Sequence, residues 1–169
     1  MTEAAPTLTN LREWEHFTDG PLVKRLKSCG RQTFMPKVKV VNPDGKEVQP
    51  GEVGEIIAKG ANVMLGYWKN PEQTAQTLRN GWLHTGDMGT VDEEGYIYLV
   101  DRKNDMIITG GENVYPREVE DVLYEHPAVI EAAVVGIPDQ KWGESVKAVV
   151  AIRAGMTASE DELIQFCKV

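Results

Sequence analysis

At Arg102-Lys103-Asn104-Asp105 the chain changes rhythm, and the change divides what it can become. Ahead of this charged run, short strand-like segments alternate with turns. Lys37 to Val41 alternates polar and apolar residues, and Asn42-Pro43-Asp44-Gly45-Lys46 is a strong turn signal. Gly54 to Lys59 reads as a second strand. Asn70 caps a helix that begins with Pro71 and Glu72 and runs to about Leu78, where Asn80-Gly81 stops it. Strands follow at Trp82 to Thr85, Gly89 to Val91 and, past the turn Asp92-Glu93-Glu94-Gly95, Tyr96 to Val100. Short strands with regular turns predict a small β-barrel or sandwich. Trp68, Trp82 and Tyr96 are its expected core or rim aromatics. Met1 to Leu26 has little periodicity and reads as loop plus a short helix.

Behind the charged run, strands alternate with helices. Met106 to Thr109 is a short strand. Tyr115-Pro116 opens a helix whose Val119, Val122 and Leu123 share one face. Val129 to Ile137 is an apolar strand, Asp139 to Glu144 a loop, and Ser145 to Arg153 another strand. Ser159 and Glu162 form a capping box for a last helix. The fold class is therefore α+β, with strands covered on one face by helices, in two parts: residues 1–103 and residues 104–169.

The formal net charge of -8 argues against nucleic acid or an anionic membrane as a partner. No apolar run reaches the roughly 18 residues of a membrane span, and Met1-Thr2-Glu3 does not begin a signal peptide. Cys29 and Cys167 lack metal-site spacing and read as reduced, structural thiols, which fits a cytoplasmic protein.

The chemistry concentrates between Trp82 and Pro116. Asp87 lies between Gly86 and Met88-Gly89, in a turn where the backbone can approach a ligand. The strand from Tyr96 then delivers Asp101-Arg102. A carboxylate accepts hydrogen bonds from a vicinal diol, and a guanidinium donates to diol or phosphate oxygens, so the pair suits the ribose of a nucleotide. Plain solvated residues are the competing reading. His84, with no carboxylate beside it in the sequence, reads as structural rather than as a base.

Thr85-Gly86-Asp87, Asp101-Arg102-Lys103-Asn104-Asp105 and Gly110-Gly111-Glu112-Asn113-Val114-Tyr115-Pro116, in this order and spacing, resemble the acyl-CoA synthetases of the adenylate-forming superfamily. The resemblance covers essentially the whole chain. It implies that residues 1–103 are the small distorted β-barrel ending a large N-terminal domain, and that residues 104–169 begin a truncated α+β C-terminal domain. It implies an ATP-dependent reaction in which a carboxylic acid forms an acyl-adenylate and CoA then displaces AMP, with Mg2+ on the phosphates.

On this resemblance Asp87 and Arg102 hold the ribose, and Asn104 is the interdomain hinge, where many members carry Asp or Lys. Gly110 and Gly111 line the pantetheine tunnel beside Glu112 and Asn113. Trp142 matches an aromatic near the CoA arm; a tryptophan packed under the Asp139 loop is the alternative. Thr2 and Glu3 match the tail of a motif in which the threonine bonds phosphate and the glutamate binds magnesium. With the preceding strand absent, that tail is expected to fray. The last helix has no stop signal, the phosphate loop would lie before Met1, and a catalytic lysine would lie beyond Val169. The expectation is a fragment of an acid-CoA ligase, inactive alone. Two alternatives are an adenylation module that loads a carrier protein and a non-enzymatic nucleotide-binding module.

Overall fold

Short β-branched runs, none able to bury its apolar face alone, build the first of two units into which the chain divides, Met1–Lys103 and the residues from Asn104 onward. The computed structural model describes residues 1–168, so Val169, the end of the expected last helix, lies outside the described residues. Strands β1 (Thr9–Asn10) and β2 (Arg31–Gln32) form an antiparallel ribbon. Between them Glu13–Glu15 and Pro21–Lys27 are 3-10 turns, where a short helix was expected. No residue of Pro21–Lys27 is buried, so there is no packed apolar face to sustain an α-helix.

The main sheet of this unit takes β3 (Lys37–Val41), β4 (Gly54–Lys59), β5 (Leu78–Arg79), β6 (Trp82–Val91) and β7 (Ile97–Arg102). Its order is β3-β4-β6-β5, with β7 also paired to β6. The expected barrel does not close: among the described residues the sheet is open, and β3 is an edge bearing Lys37 and Lys39. Exposed lysines are a common protection for such an edge. Helix α1 (Pro71–Thr77) is capped by the Asn70 side chain, which accepts from the Gln73 amide. It ends before a two-residue hairpin turn in which Asn80 (φ 52°) and Gly81 (φ 76°) take the left-handed conformation.

Val40, Ile56 and Ile97 form one buried cluster, and Ala4, Ala58 and Leu83 a second. Each fully buried aliphatic side chain such as Leu83 contributes about 1.5–3 kcal/mol. The expected fraying of the N-terminus is corrected by the second cluster. Ala4 is 1% exposed and bridges Val63, the Ala5 amide donates to the Asn62 carbonyl, and the Met64 amide donates to the Glu3 carbonyl. Tyr96 is a core aromatic and Trp82 a rim one, with Lys39 and Lys59 over its ring. Trp68 is neither, being 88% exposed.

In the second unit β8 (Ile107–Thr109) turns into β9 (Glu112–Val114), a strand that the pattern concealed because its residues are polar or half-exposed. Helix α2 (Pro116–Glu125) follows, then the long hairpin of β10 (Val129–Asp139) and β11 (Gly143–Ile152), and α3 (Glu160–Phe166). The sheet order is β10-β11-β8-β9. Ile107, Leu123 and Val134 form its buried centre, flanked by Val119, Val150 and Leu163. The helices therefore cover one face of the sheet, and Ser159 and Glu162 make the expected capping box.

Candidate functional site

Thr85-Gly86-Asp87 is a bulge, and the register shows why. Ile57 pairs with His84 and Glu55 with Met88, so three residues of β6 stand opposite Ile56 alone. Extra residues of this kind bend a strand and re-aim its side chains. The bulge is held from within: Thr85 Oγ1 donates to the Ile56 carbonyl at 2.7 Å and accepts from the Asp87 amide at 3.0 Å. Gly86 takes φ 74°, and a Cβ there would meet nothing within 4 Å, so the peptide faces open space.

Asp87 and Arg102 are direct cross-strand partners of β6 and β7. Residues so placed project on one face with Cβ atoms about 5 Å apart. Burial pushes the Asp87 carboxyl above the ordinary aspartate range; the Arg102 guanidinium opposes this and the Glu3 carboxylate adds to it. The carboxylate lines a cleft of about 210 Å³ together with Met1, Ala4, Thr85, Ile97 and Leu99. The N-terminal residues thus reach the same place as the bulge.

Glu3 is fixed by its neighbours. Tyr67 donates its hydroxyl to Oε1 at 3.0 Å, and the Thr2 hydroxyl donates to Oε2 at 3.2 Å. A hydrogen bond from its own backbone amide, then those from Tyr67 and Thr2, hold its carboxyl below the usual range. Among the described residues no group of three or more His, Cys, Asp or Glu could hold a metal ion.

His84 is not the isolated histidine expected. Its Nδ1 lies 3.2 Å from Glu55 Oε2, and Lys103 Nζ donates to the same oxygen at 3.1 Å. Burial opposes ionisation of Glu55, but these two partners leave its carboxyl below the ordinary value. The signal available was one acidic residue inside the apolar run Gly54 to Ala58, since an unpaired buried carboxylate is rare. Asn104 opens the second unit in a turn, and its φ is ordinary: among the described residues only Lys69 and Asn80 are non-glycine residues with positive φ.

In the second unit Gly110 (φ 60°) and Gly111 (φ 91°) form the two-residue turn between β8 and β9. The Gly110 amide donates to the Trp142 carbonyl at 2.9 Å, and a Cβ on Gly110 would stand 2.8 Å from Trp142 Cε3. The indole therefore packs on the glycine, with Lys141 Nζ 4.5 Å from the ring centroid. Trp142 remains 50% exposed. Glu112 and Asn113 begin β9 directly after the turn, both exposed. Gly110, Gly111, Glu112, Asn113 and Trp142 are thus gathered at one end of this unit's sheet.

Two family models match separate stretches of the chain. Residues 1–68 match the AMP-binding enzyme family and residues 118–169 the AMP-binding enzyme C-terminal domain. A medium/long-chain-fatty-acid–CoA ligase of Mycobacterium tuberculosis is 50% identical over 96% of this chain and 27% of its own length. A feruloyl-CoA synthase of Amycolatopsis is 47% identical over 99% of this chain and 33% of its own length. The o-succinylbenzoate CoA synthetase of Bacillus subtilis, solved with its acyl-adenylate intermediate, superposes with a TM-score of 0.85 at 40% identity, over 99% of this chain and 33% of that one. The chain thus spans about a third of the length of the relatives it matches. Among the described residues no helix is long and apolar enough to cross a membrane.

Proposed function

We propose, for a chain that belongs to the AMP-binding enzymes, that it supplies the ribose grip and the CoA-facing turn of an ATP-dependent acid–CoA ligase. The observation that carries this reading is the pairing of Asp87 with Arg102 at the mouth of a bulge. In the reaction a carboxylate oxygen attacks the α-phosphate of ATP, and pyrophosphate leaves. The CoA thiol then attacks the acyl carbon; its proton is lost, the thioester forms, and AMP departs.

Positioning and electrostatics supply most of such catalysis. Asp87, ionised, accepts from the two ribose hydroxyls, and Arg102 donates to ribose or phosphate oxygens. Thr2 bonds a phosphate oxygen. Magnesium, when bound, neutralises phosphate charge. Glu3 is the residue that would hold it, as one hard oxygen ligand beside waters and substrate phosphates, consistent with the lowered carboxyl and its anchoring by Tyr67. Asn104, the first residue of the second unit, is assigned as pivot. Gly110 and Gly111 let the pantetheine arm approach the backbone, with Glu112 and Asn113 beside it and the exposed edge of Trp142 as a wall. The related ligases differ in their acids and share CoA, so the reading concerns the shared ATP and CoA machinery and a carboxylic acid as its substrate. The reducing cytoplasm is the assigned location, a compartment in which cysteines such as Cys29 and Cys167 persist as thiols.

Calorimetric titration of the chain with AMP tests the reading. Hydrogen bonds to a charged group contribute about 1.5–3 kcal/mol, so Asp87→Ala is expected to weaken AMP by about tenfold to a hundredfold. No binding by the wild-type chain, or equal binding by the variant, refutes the ribose assignment.

A further inference from the structure

Glu55 sits at the base of the bulge, on the strand opposite it. One of its oxygens, Oε2, gathers three partners: Lys103 Nζ, just past β7, at 3.1 Å, His84 Nδ1 on β6 at 3.2 Å, and an Arg79 guanidinium nitrogen on β5 at the ion-pair distance of 3.6 Å. The residue is 8% exposed. His84 is the last regular pair before the bulge, and Met88, the first after it, pairs with Glu55 itself. Lys103 directly follows Arg102, the partner of Asp87. Its backbone is tied as well, because the Lys103 amide donates to the Gly86 carbonyl, inside the bulge, at 2.8 Å.

We propose that Glu55 is the positioning residue of the nucleotide grip, its carboxylate tethering Lys103 and so holding Arg102 opposite Asp87. A cluster serving stability alone has no reason to close around this one irregularity. A buried carboxylate is costly to desolvate and is tolerated when donors surround it. Here the partners are His84, immediately ahead of the Thr85-Gly86-Asp87 excursion, Arg79 on the neighbouring strand β5, and Lys103, the residue next to Arg102. Without the tether, Lys103 keeps only its amide bond, and the end of β7 is free to fray. Arg102 is exposed and lies at the last position of that strand, so fraying there moves the guanidinium first. His84 donates from Nδ1 to an ionised Glu55, which leaves Nε2 turned from the carboxylate and gives the histidine a supporting part.

This inference rests on the ribose reading, and its test separates the two. Amide hydrogen exchange is followed by NMR on the 169-residue chain without nucleotide, in Glu55→Gln and in Lys103→Met. The second variant keeps Glu55 paired with His84 and Arg79 and so guards against a misfolded first one. Exchange at the amides of positions 102 and 103 is expected to rise about tenfold in both variants, while Leu83 and Tyr96 keep their protection. AMP affinity is expected to fall about tenfold in each, and the double variant to fall little further than either single one. The Asp87 carboxyl, followed by its carbon resonance, is expected to titrate higher as Arg102 moves away, a change that general loosening elsewhere would not cause. Unchanged exchange at positions 102 and 103 in both variants overturns the inference whatever AMP does. Failure of the wild-type chain to bind AMP refutes the ribose reading on its own.

Discussion

Glu15 offers a quantitative test of how the first unit is held. It is a carboxylate only 4% exposed, in a 3-10 turn between the two short strands of the N-terminal ribbon. The Arg12 amide donates to its Oε2 at 2.8 Å, and the Tyr96 hydroxyl and the Arg31 guanidinium donate to Oε1, each at 2.7 Å. The Arg12 amide, then Tyr96, lower its carboxyl from 4.5 to about 2, with burial opposing and Arg31 assisting. At 1.36 kcal/mol per pH unit that difference corresponds to about 3 kcal/mol, and screening of the half-exposed Arg31 reduces it to about 2 kcal/mol. The folded-state value is depressed, so the contribution is full above pH 4.5 and is lost as the pH falls toward 2. Glu15→Gln turns one partner into an amide that cannot accept at both positions. It is expected to destabilise the first unit by about 2 kcal/mol at pH 7 and by much less near pH 2. Urea unfolding followed by Trp14, Trp68 and Trp82, in a Trp142→Phe background, reads this unit alone. A stability difference that stays constant from pH 7 to pH 2 would refute the assignment to an ionised, buried carboxylate.

Three further outcomes follow from the site. Burial raises the Asp87 carboxyl, so its ionisation costs stability once the pH passes the unfolded value, and Asp87→Asn is expected to unfold at higher urea near pH 7 while losing AMP; a variant less stable than wild type at that pH contradicts this. In the wild-type chain AMP affinity should therefore begin to fall, on acidification, above the ordinary aspartate range. Gly110→Ala places a methyl 2.8 Å from Trp142 Cε3 at φ 60° and is expected to cost about 1–3 kcal/mol. The thermal midpoint and the Trp142 emission of the variant, against Gly111→Ala, where nothing lies within 4 Å of the added atom, check that the indole rather than backbone strain dominates.

The parts legible in the residue order are those whose chemistry lies within a few positions. Asn42 accepting from Asp44 and Lys46 to make its turn, Asn70 capping Gln73, and Ser159 answering Glu162 each complete a bond over a span of two to four residues. Asp87 and Arg102 were recognisable as chemistry because their motifs are local. Their pairing across β6 and β7, and the bulge that exposes Gly86, required a register set by the burial of Ile56 and Ile97. Glu55 meets His84 across 29 positions and Lys103 across 48, and Glu3 meets Tyr67 across 64. No periodicity encodes such meetings, because they follow from which faces the sheet packs together. The same cause held Glu3 and Ala4 in place where local reasoning expected fraying, left Trp68 in solvent, and opened what local turns had drawn as a barrel. Short-range hydrogen bonding chose the turns and caps; the burial of a few distant aliphatic side chains chose which charged groups face one another.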